Sequence, residues 1–398
     1  MPYYYRLKDF PQQQKLRAVR GLRRLRNQLD DEMPGKTRSE TLVVGTWNIR
    51  NFDDNRFGYG RRSSEDLHYI AEIISRFDII AVQEVCRDLW PLDQVMRILG
   101  DRDYEYIVSD PTEGRAGNDE RLGFIYDKHK VWFQGVAGEI VLPPKLELSV
   151  ITGKRQFSRS PFMCSFQAGW FKFMMSTVHI YFGSNSGQKY EQRVAEIAKV
   201  AKFLSDRAED DPRNHILVGD FNIKKGDSKG ANALRDNGFE IFLNRDGSNK
   251  NQTKFYDQIS FLERDGEVRL VRQGAHGVFQ FFDSIFRPQD VEDFRPELTE
   301  VIQEKIQDQQ DKKAKALAQR DRGSSQSSIE NAQKKIDKAD AAIAEYNGLL
   351  SGAGADDRLA DFYLNEWRTF HASDHLPLWV ELEIDFSEDY LSRLEHED

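Results

Sequence analysis

Five separated apolar stretches each carry polar, metal-competent side chains at or just beyond one end, so that each aims a metal or phosphate ligand at the edge of a sheet. They are Leu42-Val-Val-Gly-Thr-Trp-Asn48, Ile79-Ile-Ala-Val-Gln-Glu84, Met174-Met-Ser-Thr-Val-His179, Ile216-Leu-Val-Gly-Asp220-Phe-Asn222 and Ser373-Asp374-His375-Leu-Pro-Leu-Trp-Val-Glu-Leu382. Each run has the length and the β-branched or aromatic content of a strand. Between Thr41 and Arg287 such runs alternate with turns and helical patterns. Strands are expected at 41–47, 77–84, 121–126, 162–179 with a break at Gly169, 214–219, 239–243, 256–262 and, later, 377–384. Helices are expected at 64–75 and 188–205, the latter with Tyr190, Val194, Ile197, Ala201 and Leu204 on one face. The pattern is α/β with mixed strand order.

The 398 residues suffice for a large core, and 26 Phe with 6 Trp are available to fill it. No apolar run approaches the roughly 20 residues of a bilayer span, so no membrane span is expected. The opening Met-Pro-Tyr-Tyr-Tyr leads into arginines rather than an apolar segment, and two cysteines, Cys86 and Cys164, make no disulfide framework. A cytoplasmic protein is the expectation. Net charge is −9, so a polyanionic partner has to be met by a local basic patch.

Residues 1–40 read as a basic amphipathic arm: Leu16, Val19, Leu22, Leu25 and Leu29 mark one helix face among six Lys and Arg side chains from Lys15 to Arg26. This is either a phosphate-contacting arm or a helix docked by its leucines, and docking is favoured. Residues 289–357 are different material, with 15 acidic and 10 basic residues and Phe294 and Tyr346 as the aromatics. Ile329, Ala332, Ile336, Ala339, Ile343, Tyr346 and Leu350 follow a three-four alternation, with Ser327 and Glu330 as a capping box. With a weaker stripe at Leu298, Ile302 and Ile306, a helical hairpin is expected. Its seam either zips onto residues 296–319, which is favoured, or binds a protein partner. The remaining bounds are 41–288 and 358–386 for one interrupted domain and 387–398 for an acidic tail.

Taken singly, Glu84 is an ordinary strand-end charge, His179 a core histidine, and Asp220 with Asn222 a pair of turn formers. Together the patches supply oxygen and imidazole ligands without a thiol, which suits a hard divalent cation beside a phosphate. The two-residue spacing of Asp220 and Asn222 would put both side chains on one face of an extended chain.

In their order the five motifs resemble the endonuclease/exonuclease/phosphatase superfamily from about Thr41 to Leu382, and Trp47-Asn48-Ile-Arg-Asn-Phe with Val82-Gln-Glu84-Val resembles its pancreatic-type deoxyribonuclease branch. The resemblance implies a four-layer α/β sandwich, two mixed sheets face to face with helices outside, carrying the hairpin as an insertion. It implies Glu84 as principal Mg²⁺ ligand with Asn48 and Asp374, with Mn²⁺ a possible substitute, and Asp220 with Asn222 would orient the water or bind a second ion. His179 and His375 would hold the phosphate and act as acid and base, partnered by Glu120 and Asp257. Arg159 and Arg50 would contact phosphate. Two departures stand out: Asn118 replaces a groove-reading Tyr, and Cys86 replaces an Arg, with Arg87 one step late. Basic residues Arg50, Arg56, Arg61, Arg62, Arg115, Lys154, Arg155 and Arg159 are expected near the cleft. The implied activity is Mg²⁺-dependent hydrolysis of nucleic acid, DNA rather than RNA. The alternatives are a phosphoesterase acting on a lipid head group, inositol phosphate or other small ester, and a non-catalytic scaffolding module.

Overall fold

The computed structural model describes every residue except 113–117, 149–155, 264–265, 324 and 397–398. Two compact units contain them. The first comprises 1–53, 63–281 and 372–398, and the second comprises 54–62 and 282–371.

Among the described residues of the first unit twelve strands form two six-stranded sheets. They are β1 Thr41–Phe52, β2 Ile79–Val85, β3 Tyr104–Val108, β4 Arg121–Asp127, β5 Trp132–Glu139, β6 Phe162–Ala168, β7 Phe171–His179, β8 Asn214–Asp220, β9 Glu240–Ile241, β10 Asp257–Leu262, β11 His276–Val278 and β12 Leu378–Glu383. One sheet has the order β11-β12-β1-β2-β4-β3, and the other β5-β6-β7-β8-β10-β9. Among the described strands β1–β2 and β7–β8 pair parallel and the others antiparallel, so both sheets are mixed. Their apolar faces share one core, in which Leu42, Val44, Ile79 and Phe124 of one sheet meet Phe166, Phe173, Ile216 and Ile259 of the other. Each fully buried Phe there contributes about 1.5–3 kcal/mol.

Helices cover the sheets. They are α1 Gln12–Glu32, α2 Ser64–Ile74, α3 Trp90–Leu99, α4 Gly187–Ala208 and α5 Lys229–Arg235. The stripe expected on α4 is the one that packs, since Ile197, Val200, Ala201 and Leu204 join Met174, Leu217 and Phe221 in a second cluster. On α1 the expectation is half met. Leu22, Leu25 and Leu29 are buried, but Leu16 and Val19 are exposed. Three-residue steps drift about 60° each around a 3.6-residue helix, so the buried face runs through Ala18, Gly21, Leu22, Leu25 and Leu29 and leaves Leu16 and Val19 outside it, while Arg17 pairs at 2.8 Å with Glu65 of α2, whose side chain has no exposed area. The arm is docked.

The break expected at Gly169 is the β6–β7 turn, with φ +54°. Gly219 matters more. It lies at φ +127° one residue before Asp220, and a Cβ there would stand 2.1 Å from the Val178 carbonyl oxygen. Only glycine permits this close approach of β8 to β7.

In the second unit α6 Arg295–Asp321 and α7 Gln326–Leu350 pack along their lengths, followed by α8 Ala355–Phe362. The cap of α7 is Ser325, whose hydroxyl accepts from Ser328 N–H. The Ser327–Glu330 pair therefore lies inside the helix: its spacing fits a box, but the earlier serine takes the cap. Segment 54–62 belongs to this unit because Tyr59 stacks on Phe370 at 4.1 Å, with Lys305 Nζ 3.7 Å from the Tyr59 ring centroid. No described helix is long and apolar enough to cross a membrane.

Candidate active site

Strand register assembles the site. Parallel pairing of β7 with β8 sets His179 opposite Asp220, and antiparallel pairing of β8 with β10 sets Asp220 opposite Asp257. On the other sheet Asn48 stands beside Gln83, one residue from Glu84. Three strand-end residues adopt left-handed backbone: Asn51 (φ 47°), Glu84 (φ 60°) and Asn222 (φ 54°). Such non-glycine conformations cost about 1–3 kcal/mol each and concentrate where a side chain has to be aimed.

Asp220 is the hub. Its Oδ2 lies 3.6 Å from His179 Nε2 and 3.8 Å from His375 Nε2. Asn48 Nδ2 donates to the same oxygen at 3.2 Å and to Glu84 Oε1 at 2.9 Å, joining the two sheets. Each imidazole has its own carboxylate behind it. His179 Nδ1 is 3.1 Å from Glu120 Oε2, and His375 Nδ1 is 2.8 Å from Asp257 Oδ2.

The electrostatics follow from burial and these partners. Burial pulls the His375 imidazole down, but the charges of Asp257 and Asp220 and the hydrogen bond to Asp257 outweigh it and hold the group well above its usual value. Burial pushes Asp220 up, against the opposing pull of His375. Burial also pushes Glu120 up, yet His179 and the Arg159 guanidinium hold it below the usual carboxylate range.

Not every expected residue plays the part its spacing suggested. Asn222 does not lie beside Asp220 on an extended chain. β8 ends at Asp220, the chain turns left-handed, and the Asn222 backbone N–H donates to Asp220 Oδ1 at 2.9 Å while its amide donates to Ile180 O. Arg159 Nε stands 2.9 Å from Glu120, with its side chain 9% exposed. Arg50 Nη1 faces Asp374 at 3.5 Å, so these two are brought to each other. The expected basic patch is largely occupied: Arg56 forks onto Asp54 and Arg62 is buried. Arg115, Lys154 and Arg155 lie outside the described residues.

Other residues the sequence reading missed hold the site in place. Ser373 Oγ donates to Asn48 O at 2.6 Å and accepts from His375 N–H, and Trp47 Nε1 donates to His375 O. Arg193, 2% exposed, donates to Asn222 O at 2.7 Å, to Phe182 O and to Ser184 O, tying down the turns after β8 and β7. A cation interleaved with the apolar stripe of α4 is the signal that could have found it. No comparable signal marks Trp47.

The donor set fits a hard divalent cation. Glu84, Glu120 and His179 offer ligand atoms within 4.8 Å of one another, and so do Asp220, Asp257 and His375. Neither group contains a thiolate. Asn48 turns its amide nitrogen toward the carboxylates, while its Oδ1 accepts from Arg50 N–H; serving as an oxygen ligand requires the amide to flip.

Residues 45–259 match the model of the Endonuclease/Exonuclease/phosphatase family. A deoxyribonuclease of Thioalkalivibrio sp. (strain K90mix) is 25% identical over 186 residues, 46% of this chain and 46% of its own. Deoxyribonuclease-1 of Rattus norvegicus is 38% identical over 97 residues, 23% of this chain and 32% of its own. The chain thus spans less than half the length of the curated relatives it matches. A solved mannosyl-6-phosphatase from Bacteroides thetaiotaomicron VPI-5482 aligns over 60% of this chain and 90% of its own, with 20% identity and a TM-score of 0.46.

Proposed function

The chain belongs to the endonuclease/exonuclease/phosphatase family, and from that membership we propose that it is a Mg²⁺-dependent phosphodiesterase acting as an endonuclease on DNA. The observation that carries this reading is the pair of imidazoles, each backed by a carboxylate, converging on one oxygen of Asp220 beside Glu84.

A phosphodiester repels nucleophiles, so attack by water needs compensation for the charge that builds on the phosphate oxygens. A divalent cation held by Glu84, with Asn48 and Asp374 as further proposed ligands, would supply part of it. The chain's own groups do the rest. Asp220, fixed by the Asn222 N–H, orients the attacking water and takes its proton. His375, kept protonated by Asp257, donates to a phosphate oxygen. His179, held by Glu120, donates to the leaving oxygen. Arg159 and Arg50 are the proposed phosphate contacts.

The proposed organisation is an arm 1–40, a catalytic domain 41–288 and 358–386, an insertion 289–357 and a tail 387–398. We take a reducing, cytoplasmic setting from the two cysteines, Cys86 and Cys164, which are both buried.

The second reading, a phosphoesterase of small or lipid-linked esters, is favoured by Asn118 and Cys86 standing where groove-contacting residues are expected. A substrate panel separates the two. Plasmid DNA, single strands, RNA, phosphorylcholine and inositol esters are offered with Mg²⁺. Cleavage of DNA ahead of the others supports the first reading, and release from a small ester with DNA left intact overturns it.

A further inference from the structure

The second unit carries a feature that its overall charge does not lead one to expect. Segment 289–357 is acidic, with 15 carboxylates against 10 cations. Yet the groove of about 420 Å³ between α6 and α7 is lined by Lys312 and Lys315 from one helix and Lys335 and Lys338 from the other, and by no carboxylate. Ala316 and Ala339, each 2% exposed, form its floor. Small residues at this crossing let the helices approach and leave the lysine stems as walls. All four lysines are exposed. Lys312 reaches Asp308 and Lys335 reaches Gln319 Oε1 at 3.1 Å. The ion pair that ties the helices together, Lys313 to Asp340, uses a lysine turned about 100° around α6 from Lys312.

We propose that this groove binds the phosphate backbone of a nucleic acid, through Lys312, Lys315, Lys335 and Lys338. The proposal rests on the nuclease reading above and adds a binding surface to it. An acidic protein partner fits less well, because tight protein interfaces centre on an aromatic or aliphatic anchor in a pocket, and an alanine floor offers none. A backbone needs no such anchor. Its phosphates are met by point charges, and binding is driven by counterion release. Such contacts position a strand and read no sequence.

The test uses the full chain carrying Lys312→Gln, Lys315→Gln, Lys335→Gln and Lys338→Gln together. Glutamine is a comparable helix former, so the exposed faces keep their propensity. Binding to a fluorescent DNA duplex is followed by anisotropy in EDTA across a salt series. A control carries Lys8→Gln, Lys128→Gln, Lys172→Gln and Lys199→Gln, four lysines of the other unit. The groove variant is expected to lose at least tenfold in affinity at about 0.1 M salt. Its log–log salt slope should become shallower by about 0.9 for each phosphate that is no longer neutralised. The control should stay within about threefold of wild type, and hydrolysis of bis(p-nitrophenyl) phosphate should be unchanged in both. Equal losses in groove variant and control, or an unchanged slope, overturn the proposal, as does a wild type that binds no DNA. A wild type that binds with a steep slope and cuts only the small diester sinks the nuclease reading and leaves the groove standing.

Discussion

His375 Nδ1 lies 2.8 Å from Asp257 Oδ2, and both side chains are buried. The pair fixes the ring's orientation and favours its charged form, because an opposite charge in a low-dielectric setting outweighs the burial that opposes it.

Asp257→Asn is expected to remove that bias. In metal-free protein the His375 titration, read by NMR, should fall from well above the usual value toward or below about 6.5. The linkage has a definite sign. A raised folded value means the pair's contribution to stability is complete below about pH 6.5 and is lost as pH rises through the folded value. Urea midpoints of wild type should therefore decline on the alkaline side more than those of the variant. Activity should drop about 10–100-fold, the usual cost of losing the partner that orients a functional histidine.

Arg159→Ala separates contact with phosphate from support of Glu120. The guanidinium Nε stands 2.9 Å from Glu120, which in turn backs His179. Both kcat and KM should worsen, kcat by about tenfold or more. A change in KM alone would show that the contact with Glu120 is idle. Glu120 itself is held below the usual range, so its contribution to stability is present above about pH 4.5 and disappears as pH falls through its folded value.

Gly219→Ala should damage the fold at the point where it positions Asp220. The new methyl would meet the Val178 carbonyl oxygen at 2.1 Å, and φ +127° is unfavourable for alanine. A loss of about 2–4 kcal/mol in chemical denaturation is expected. Retention of wild-type stability would mean β7 and β8 can separate without cost.

Both thiols should be silent in the native protein. Cys164 has no exposed surface and burial pushes it up to about 12, while Cys86 is 1% exposed. A disulfide reagent at pH 8 should titrate close to no thiol natively and two in denaturant. Fast native reaction would place at least one cysteine at the surface.

Much of this architecture was legible because its signals are local. Uninterrupted apolar runs such as Ile79–Val82 belong to strands covered on both faces, and the stripe on α4 packs where its 3.6-residue period puts it. What escaped depends on partners far apart in sequence. β5 was missed because Trp132–Glu139 is an exposed edge with two glycines and no alternation. The α1 stripe is overextended for a local reason instead, since its three-residue steps drift off the 3.6-residue period and leave Leu16 and Val19 outside the buried face of Ala18, Leu22, Leu25 and Leu29. That segment 54–62 joins the helices of the second unit rests on Tyr59 meeting Phe370 across more than 300 positions. Within the site, residue types and strand ends were readable. The left-handed turn that swings Asn222 out of line and the engagement of Arg159 with Glu120 were not, since spacing alone carries neither backbone handedness nor pairing.

The most direct test of the account is nicking of supercoiled plasmid by wild type, Glu84→Ala, His179→Ala and His375→Ala, each with Mg²⁺ and with EDTA. The account predicts nicking by wild type with Mg²⁺ alone and losses of about 10²–10⁴-fold in each variant. Nicking that survives EDTA, or that is unchanged by Glu84→Ala and His375→Ala, would contradict it.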